Sequence, residues 1–278
     1  MKISLVIATY RPGGIDLLST FLKDDDQDWE LILIDDLPGR VQRGEAVKYL
    51  QGIIGDRLAY YGHSKPKEII GTKGGLMNAW NTALAHVNGD YVVFLSDYTV
   101  LPDWWYKQWE FVFKEYPKTL ISGTAMMFDM EKPPRPTDII TYHESQSFGL
   151  PKWPWVPEVY ENFYAGCSLE FLLDINGFDE RADHCHCWPV NSQIAQARLM
   201  GYKLKVCQEI SSWMIDHRMW DTPEEPSPLG NEGLWRITAK QSIAREPEWV
   251  VPSPNNFNLQ AVREYFQTRS DAFTGESI

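Results

Sequence analysis

The chain lacks the features that would tie it to a membrane. Among its 278 residues no apolar run approaches the roughly 20 residues that a helix needs to cross a bilayer. The opening MKISLVIATYRP has one early Lys and an apolar run too short for a signal peptide, so it predicts a first strand. We therefore expect a cytoplasmic protein without a transmembrane segment, and peripheral contact with a membrane stays open.

Positive charge and cysteine are both scarce. The 26 Lys and Arg are outnumbered by 38 Asp and Glu, for a formal net charge of −12. Because nucleic-acid backbones attract Lys and Arg, this balance argues against a nucleic-acid partner, although a local site or a metal ion could still hold a small anion. The four cysteines are Cys167, Cys185, Cys187 and Cys207. Without a signal peptide, we expect them to be free thiols.

The most informative stretch that is present covers residues 89–105, GDYVVFLSDYTVLPDWW. Five apolar or aromatic residues in a row, from Tyr91 to Leu95, predict a strand buried on both faces, as in a parallel sheet. Asp97 follows at the carboxyl end of this strand. Open α/β sheets bind their ligands at that edge, so Asp97 is a candidate site residue, and the alternative is an ordinary Asp-containing turn.

Strand and helix patterns alternate through the first hundred residues. Strands are predicted over residues 2–8, 29–34, 58–61 and 91–95, and helices over 15–21, 44–51 and 75–86. This order is typical of a parallel sheet with helical crossovers. In the second half we predict helices over 105–115, 191–200 and 260–268, and strands over 120–127, 202–206 and 210–215. The proline-rich residues 131–157 predict an irregular loop region.

Four segments, in this order, resemble the inverting family 2 glycosyltransferases of the GT-A fold. They are SLVIATYRP with LILIDD downstream, GLMNAWN, YVVFLSDYTVLP, and FYAGCSLEFLLDINGFDER with Asp216-His217 further on. The resemblance implies an α/β, Rossmann-like GT-A fold with a mixed, mostly parallel central sheet flanked by helices. Its domain would cover residues 1–220, with a nucleotide-sugar half at 1–100 and an acceptor half at 101–220. Residues 221–278 would form a covering segment and terminal helix.

The same resemblance implies a transferase that moves a sugar from a nucleotide-sugar, foremost a UDP-sugar, with inversion at the anomeric carbon. The acceptor could be a carbohydrate, a lipid-linked molecule or a protein, and the sequence does not choose among them. A carboxylate would remove the acceptor proton, and Mn²⁺ or Mg²⁺ would stabilise charge on the departing diphosphate. The candidate donor contacts are Ala8, Thr9, Tyr10, Arg11 and Asp36, at or just after the ends of predicted strands, and Lys73, just before the helix that starts at Gly75.

Each of those positions has an expected role. Ala8, Thr9 and Tyr10 match the strand end that contacts the nucleoside, and Asp36 matches the acid that bonds the base or ribose, whereas Asp35 is open to a structural role. Arg11 and Lys73 are candidates for contact with the phosphates. The alternative is that both are solvated cations on the surface.

The sequence departs from the family where the metal is expected. Ser96 and Tyr98 stand where acids normally flank Asp97. One carboxylate with diphosphate oxygens and water can still hold Mn²⁺ or Mg²⁺, because these ions favour oxygen ligands. His217 matches a family position that completes the metal shell, and the alternative is a surface histidine in a turn.

A second departure concerns the catalytic base. The family's Glu-Asp pair is missing from residues 187–192, CWPVNS, so Asp183 is the predicted base and His184 or His186 is the alternative. Asp179 and Glu180 match turn acids with an expected structural role. The missing pair also keeps open a non-catalytic GT-A-like binding or scaffold protein. A nucleotidyltransferase is a further alternative, which residues 12–16, PGGID, match only loosely.

Overall fold

The structure of the chain is a computed structural model that describes residues 1–9, 14–23, 25–35, 43–62, 76–128, 140–141, 164–180, 193, 196–197, 200–215 and 257–268. Its strands are β1 (Ile3–Thr9), β2 (Trp29–Asp35), β3 (Leu58–Gly62), β4 (Tyr91–Ser96), β5 (Thr99–Val100), β6 (Thr119–Phe128), β7 (Ile140–Thr141), β8 (Tyr164–Ser168) and β9 (Lys203–Ile215). Its bounded α-helices are α1 (Gly14–Phe21), α2 (Arg43–Ile54), α3 (Leu76–His86), α4 (Trp105–Glu115), α5 (Leu169–Asp174) and α6 (Leu259–Gln267). A 3₁₀ turn, Gly55–Arg57, follows α2.

The strands form one sheet in the order β3-β2-β1-β4-β8-β6-β9-β5, with β7 paired to β6. The pairings make β1, β2, β3, β4, β6 and β9 run in one direction and leave β5, β7 and β8 antiparallel to them. This arrangement confirms the predicted mixed, mostly parallel sheet. No helix in the described ranges is long and apolar enough to span a bilayer.

The central strands are buried on both faces, as their continuous apolar sequences predict. On one face Leu5 and Val93 belong to a core shared with α1, α2 and α4. On the other face Val6 and Phe94 belong to a core shared with α3, α5 and α6. Because successive strand residues point to opposite faces, each strand contributes to both cores, and burying one such aliphatic side chain stabilises the fold by about 1.5–3 kcal/mol.

The prediction of two strands at 202–206 and 210–215 was wrong. The structure has one strand, β9, paired in parallel with β6 along its length. Its register jumps from Gly123 opposite Cys207 to Thr124 opposite Ser211, so β9 carries three extra residues there. Such a bulge interrupts the alternation of apolar and polar positions, which is why the sequence pattern indicated two strands. The two-residue strands β5 and β7 were not predicted either.

Helix α3 fixes the turn at residues 177–180. The buried amide of Asn81 donates to the carbonyl of Phe178 at 2.8 Å and to Oε1 of Glu180 at 2.9 Å, and it accepts from the Phe178 N–H at 2.8 Å. Gly177 has φ +72°, and a Cβ there would lie 2.4 Å from Asn81 Oδ1. The turn therefore requires glycine for both its backbone conformation and its close approach to α3.

The same helix also holds the C-terminal helix α6. The guanidinium of Arg263, itself 5% exposed, donates to the carbonyl of Leu84 near the end of α3. His86 stacks on Tyr61 with ring centroids 4.0 Å apart and contacts Phe266 of α6 at 4.6 Å. These contacts attach a helix from the end of the chain to the first α/β half.

The free energy of unfolding should decrease as the pH is lowered, because of His86. Burial, followed by the positive charge of Arg263, lowers the pKa of His86 to about 4. The unfolded chain, with a histidine pKa of about 6.5, then binds a proton between these values that the folded chain does not. The full shift is worth about 3 kcal/mol between pH 7 and pH 4, and because His86 is only partly buried we expect solvent screening to reduce this loss of stability to about 2 kcal/mol. Urea unfolding across this range should show a shallower pH dependence for His86→Phe, and an unchanged slope would contradict the assignment.

Gly177→Ala should destabilise the protein more than its matched control, Gly201→Ala. Both glycines have positive φ, +72° and +76°, so both substitutions strain the backbone by about 1 kcal/mol. Only at Gly177 does the new methyl group collide with Asn81, since no described residue lies within 4 Å of a Cβ at Gly201. We expect a difference of about 2 kcal/mol in the free energy of unfolding, measured in urea. Equal losses would mean that the turn moves away from α3 at little cost.

Candidate functional site

The candidate site lies at the sheet edge where β1, β2 and β4 end. Parallel pairing sets Ala8 of β1 opposite Ser96 of β4, and Thr9 opposite Asp35 of β2. Asp97 is the residue that follows β4. The carboxyl ends of parallel strands form the edge where open α/β sheets bind ligands. Asp35 and Asp97 therefore both lie at that edge, each at the end of a strand next to the one that carries Thr9.

A buried hydrogen bond joins the first of these strand ends to Asp97. The hydroxyl of Thr9 donates to Oδ2 of Asp97 at 2.7 Å, and each residue is only 1% exposed. The start of α1 lies against this pair: a Cβ on Gly14 would be 2.6 Å from Thr9 Oγ1 and 2.9 Å from Asp97 Cβ. Three elements therefore converge on one carboxylate, and the positive end of the α1 dipole favours its charge.

Asp35 has a separate partner. The hydroxyl of Tyr60, on β3, donates to Asp35 Oδ2 at 2.7 Å, and Asp35 is fully buried. This bond ties the last residue of β2 to its neighbouring strand. It supports the structural role left open for Asp35, and Asp36 stays the acid predicted to contact the donor.

The structure describes three of the predicted site residues, Ala8, Thr9 and Asp97, and brings them together at one edge. The other six lie outside the described residues, so their roles stay predictions: Tyr10, Arg11, Asp36, Lys73, Asp183 and His217. The alternative bases His184 and His186, with Cys185 and Cys187, lie outside the described residues as well.

Sequence reasoning missed the partnership of Thr9 with Asp97. It assigned Thr9 to the nucleoside and Asp97 to the metal, 88 residues apart, without linking them. The signal that could have linked them is the register of β1 and β4, because Ala8 opposite Ser96 puts the next residue of each strand side by side. Register between distant strands depends on tertiary packing, so it could not be taken from the sequence alone.

The turn acid Glu180 has the structural role that was expected. Its carboxylate accepts from Asn81 at 2.9 Å and from Asn78 at 3.3 Å, both on α3. These bonds hold the turn that immediately precedes residues 181–192 in the sequence, where the predicted base and its alternatives are found.

The described cysteines do not form a reactive or metal-binding site. Cys167 and Cys207 are both buried and free of disulfides, as predicted. Burial raises the pKa of the Cys167 thiol. Burial, together with the hydrogen bond to Glu209 and its charge, raises the pKa of Cys207 to about 11. Neither thiol is a nucleophile near neutral pH, and within the described ranges no three His, Cys, Asp or Glu side chains group as metal ligands.

Comparison with solved structures gives the same fold. Staphylococcus aureus TarS matches with a TM-score of 0.58 and 16% identity, covering 98% of this chain and 44% of TarS, so this chain spans less than half of that protein. TarS 1–349 in complex with UDP-GlcNAc matches with a TM-score of 0.58 and 14% identity, and the match covers 98% of this chain and 73% of TarS 1–349. The mannosyltransferase PcManGT from Pyrobaculum calidifontis, in complex with GDP-Man and Mn²⁺, matches with a TM-score of 0.52 and 14% identity. The match covers 96% of this chain and 80% of PcManGT.

Sequence comparison identifies the family. No curated protein matches the sequence of this chain. The model of the family described as Glycosyl transferase family 2, however, matches residues 15–172, which is more than half of the chain. The matched residues include all of α1 except Gly14, the strands from β2 to β8 in chain order, and Asp97. Because this match covers more than half of the chain, the chain belongs to glycosyl transferase family 2.

Proposed function

We propose that this chain transfers a sugar from a UDP-sugar to an acceptor with inversion, assisted by Mn²⁺ or Mg²⁺. The observation that carries the proposal is Asp97 at the carboxyl edge of the sheet, held beside the end of β1 in a chain of this family. The neighbouring structures support the donor class, since TarS 1–349 was solved with UDP-GlcNAc and PcManGT with GDP-Man and Mn²⁺.

In this proposal the donor nucleotide lies across the ends of β1, β2 and β4. Backbone groups at Ala8 and Thr9 bond the base, Tyr10 stacks on it, and Asp36 accepts from the base or ribose. Arg11 and Lys73 supply positive charge to the diphosphate. Ligands gather at such strand ends because loops after parallel strands meet there, which supports the arrangement.

The chemistry of Asp97 suits a divalent cation in part. A carboxylate offers about four lone-pair positions, and the hydroxyl of Thr9 uses one of them. Mn²⁺ or Mg²⁺ bound here would take further ligands from the diphosphate, water and His217, as is usual for these ions in phosphate sites. Such a cation supplies charge stabilisation to the departing diphosphate. With Asp97 only 1% exposed, protein and nucleotide rather than bulk water would enclose it.

The acceptor half supplies the base. A single displacement with inversion needs one group that takes the acceptor proton, and Asp183 is the proposed one, with His184 or His186 as the alternative. The turn at 177–180, bonded to Asn81, gives the segment that leads to Asp183 a rigid starting point on α3.

A second candidate function is a GT-A protein that binds a nucleotide but transfers nothing. The burial of Asp97 and its bond to Thr9 favour this alternative, since both also suit a purely structural acid. The two candidates differ in whether the binding of UDP depends on a metal through Asp97.

UDP with Mn²⁺ should raise the melting temperature of the protein. At one hundred times its dissociation constant a ligand stabilises the folded state by about 2.7 kcal/mol, which corresponds to roughly 5 °C for a chain of this size. We expect EDTA to reduce this shift. Asp97→Asn should lose the metal-dependent part, whereas Asp103→Asn, a control whose side chain is 73% exposed, should keep it. If wild-type protein shows no shift at millimolar UDP and Mn²⁺, the proposed function is wrong.

A further inference from the structure

We propose that Thr9 is a positioning residue that sets the orientation of the Asp97 carboxylate for the cation, rather than a side-chain contact to the nucleoside. The inference rests on the proposed function, because it assumes that Asp97 serves the metal–diphosphate site. It assigns to Thr9 a role that the family resemblance did not give it, since the resemblance placed the residue among the base contacts.

The first support is the geometry of the bond. At 2.7 Å, the contact between Thr9 Oγ1 and Asp97 Oδ2 has the length of a well-formed O–H···O hydrogen bond. Both residues are 1% exposed, so bulk water does not compete for either group. A hydroxyl that donates its single hydrogen to a carboxylate has none left for a nucleoside.

The second support is the confinement of the pair. Thr9 is the last residue of β1, and its branched side chain has few accessible χ1 rotamers. Gly14, the first residue of α1, approaches so closely that its own Cβ would lie 2.6 Å from the Thr9 hydroxyl and 3.0 Å from Asp97 Oδ2. The hydroxyl is therefore held between α1 and the carboxylate, and the carboxylate cannot rotate without breaking this contact.

The bond between Thr9 and Asp97 should affect the affinity for the metal and not the affinity for the nucleotide alone. With one oxygen of Asp97 held by Thr9, the direction of the remaining lone pairs is fixed before a cation arrives. A ligand group that is preoriented binds a cation more tightly than one that must be ordered on binding. Loss of the Thr9 hydroxyl should thus weaken the metal and leave the metal-independent affinity for the nucleotide nearly unchanged.

The test compares Thr9→Ala with Thr9→Ser, two variants that differ by one oxygen atom. Calorimetric titration of Mn²⁺ in the presence of UDP measures the affinity for the metal. Calorimetric titration of UDP in the presence of EDTA measures the affinity for the nucleotide without metal. We expect Thr9→Ala to raise the dissociation constant for Mn²⁺ about tenfold, which corresponds to 1.4 kcal/mol. Thr9→Ser should stay within about twofold of wild type for Mn²⁺. Because both variants keep the backbone groups that are proposed to bond the base, we expect each to bind UDP in EDTA within about twofold of wild type.

Asp97→Asn separates this inference from the proposed function. If Asp97→Asn binds Mn²⁺ as wild type does, Asp97 is not the metal acid, and that part of the proposed function fails whatever Thr9 does. If Asp97→Asn loses Mn²⁺ while Thr9→Ala matches Thr9→Ser, the positioning role of Thr9 is overturned. A drop in UDP affinity in EDTA for Thr9→Ala but not Thr9→Ser would show that the hydroxyl serves the nucleoside after all. Thr9→Val, which fills the space of threonine, replaces Thr9→Ala in all comparisons should the alanine variant not fold.

Discussion

One hydrogen bond, from the hydroxyl of Thr9 to the carboxylate of Asp97, joins the ends of two parallel strands under the first turn of α1. The candidate site depends on this bond because it fixes where the carboxylate lies relative to the edge of the sheet. A carboxylate buried away from water needs hydrogen-bond donors, and Thr9 is one of them. The absence of a side chain at Gly14 lets α1 come close enough for its dipole to favour the same charge.

Helix α3 holds both the turn at 177–180 and the C-terminal helix α6. Asn81 forms hydrogen bonds with the turn at 177–180. In the last turn of α3, the carbonyl of Leu84 accepts a hydrogen bond from the guanidinium of Arg263 on α6. The contacts of α6 come from a part of the chain beyond the residues that the family model matches. A single helix thus contacts the sheet, the turn before the proposed base, and the C-terminal helix.

Much of the fold could be predicted from the sequence, because its central strands are continuous apolar runs and its helices have clear periodicity. The prediction for α4 was confirmed at both ends, and those for β1, β2 and β4 were confirmed to within one residue. The bulge in β9 was not predictable, since it breaks the local pattern. The position of Asp97 at the carboxyl edge of the sheet could be predicted from its place after β4, but its bond to Thr9 depends on long-range register. The bond between Tyr60 and Asp35 was hidden for the same reason.

The most direct measurement is a crystal structure with UDP and Mn²⁺, in which anomalous scattering locates the metal. We expect the carboxylate of Asp97 to hold the manganese ion beside the diphosphate, with the Thr9 hydroxyl still donating to Oδ2 of Asp97. A nucleotide bound at the strand ends with its cation away from Asp97, or with Thr9 turned from Asp97 toward the base, would contradict this expectation.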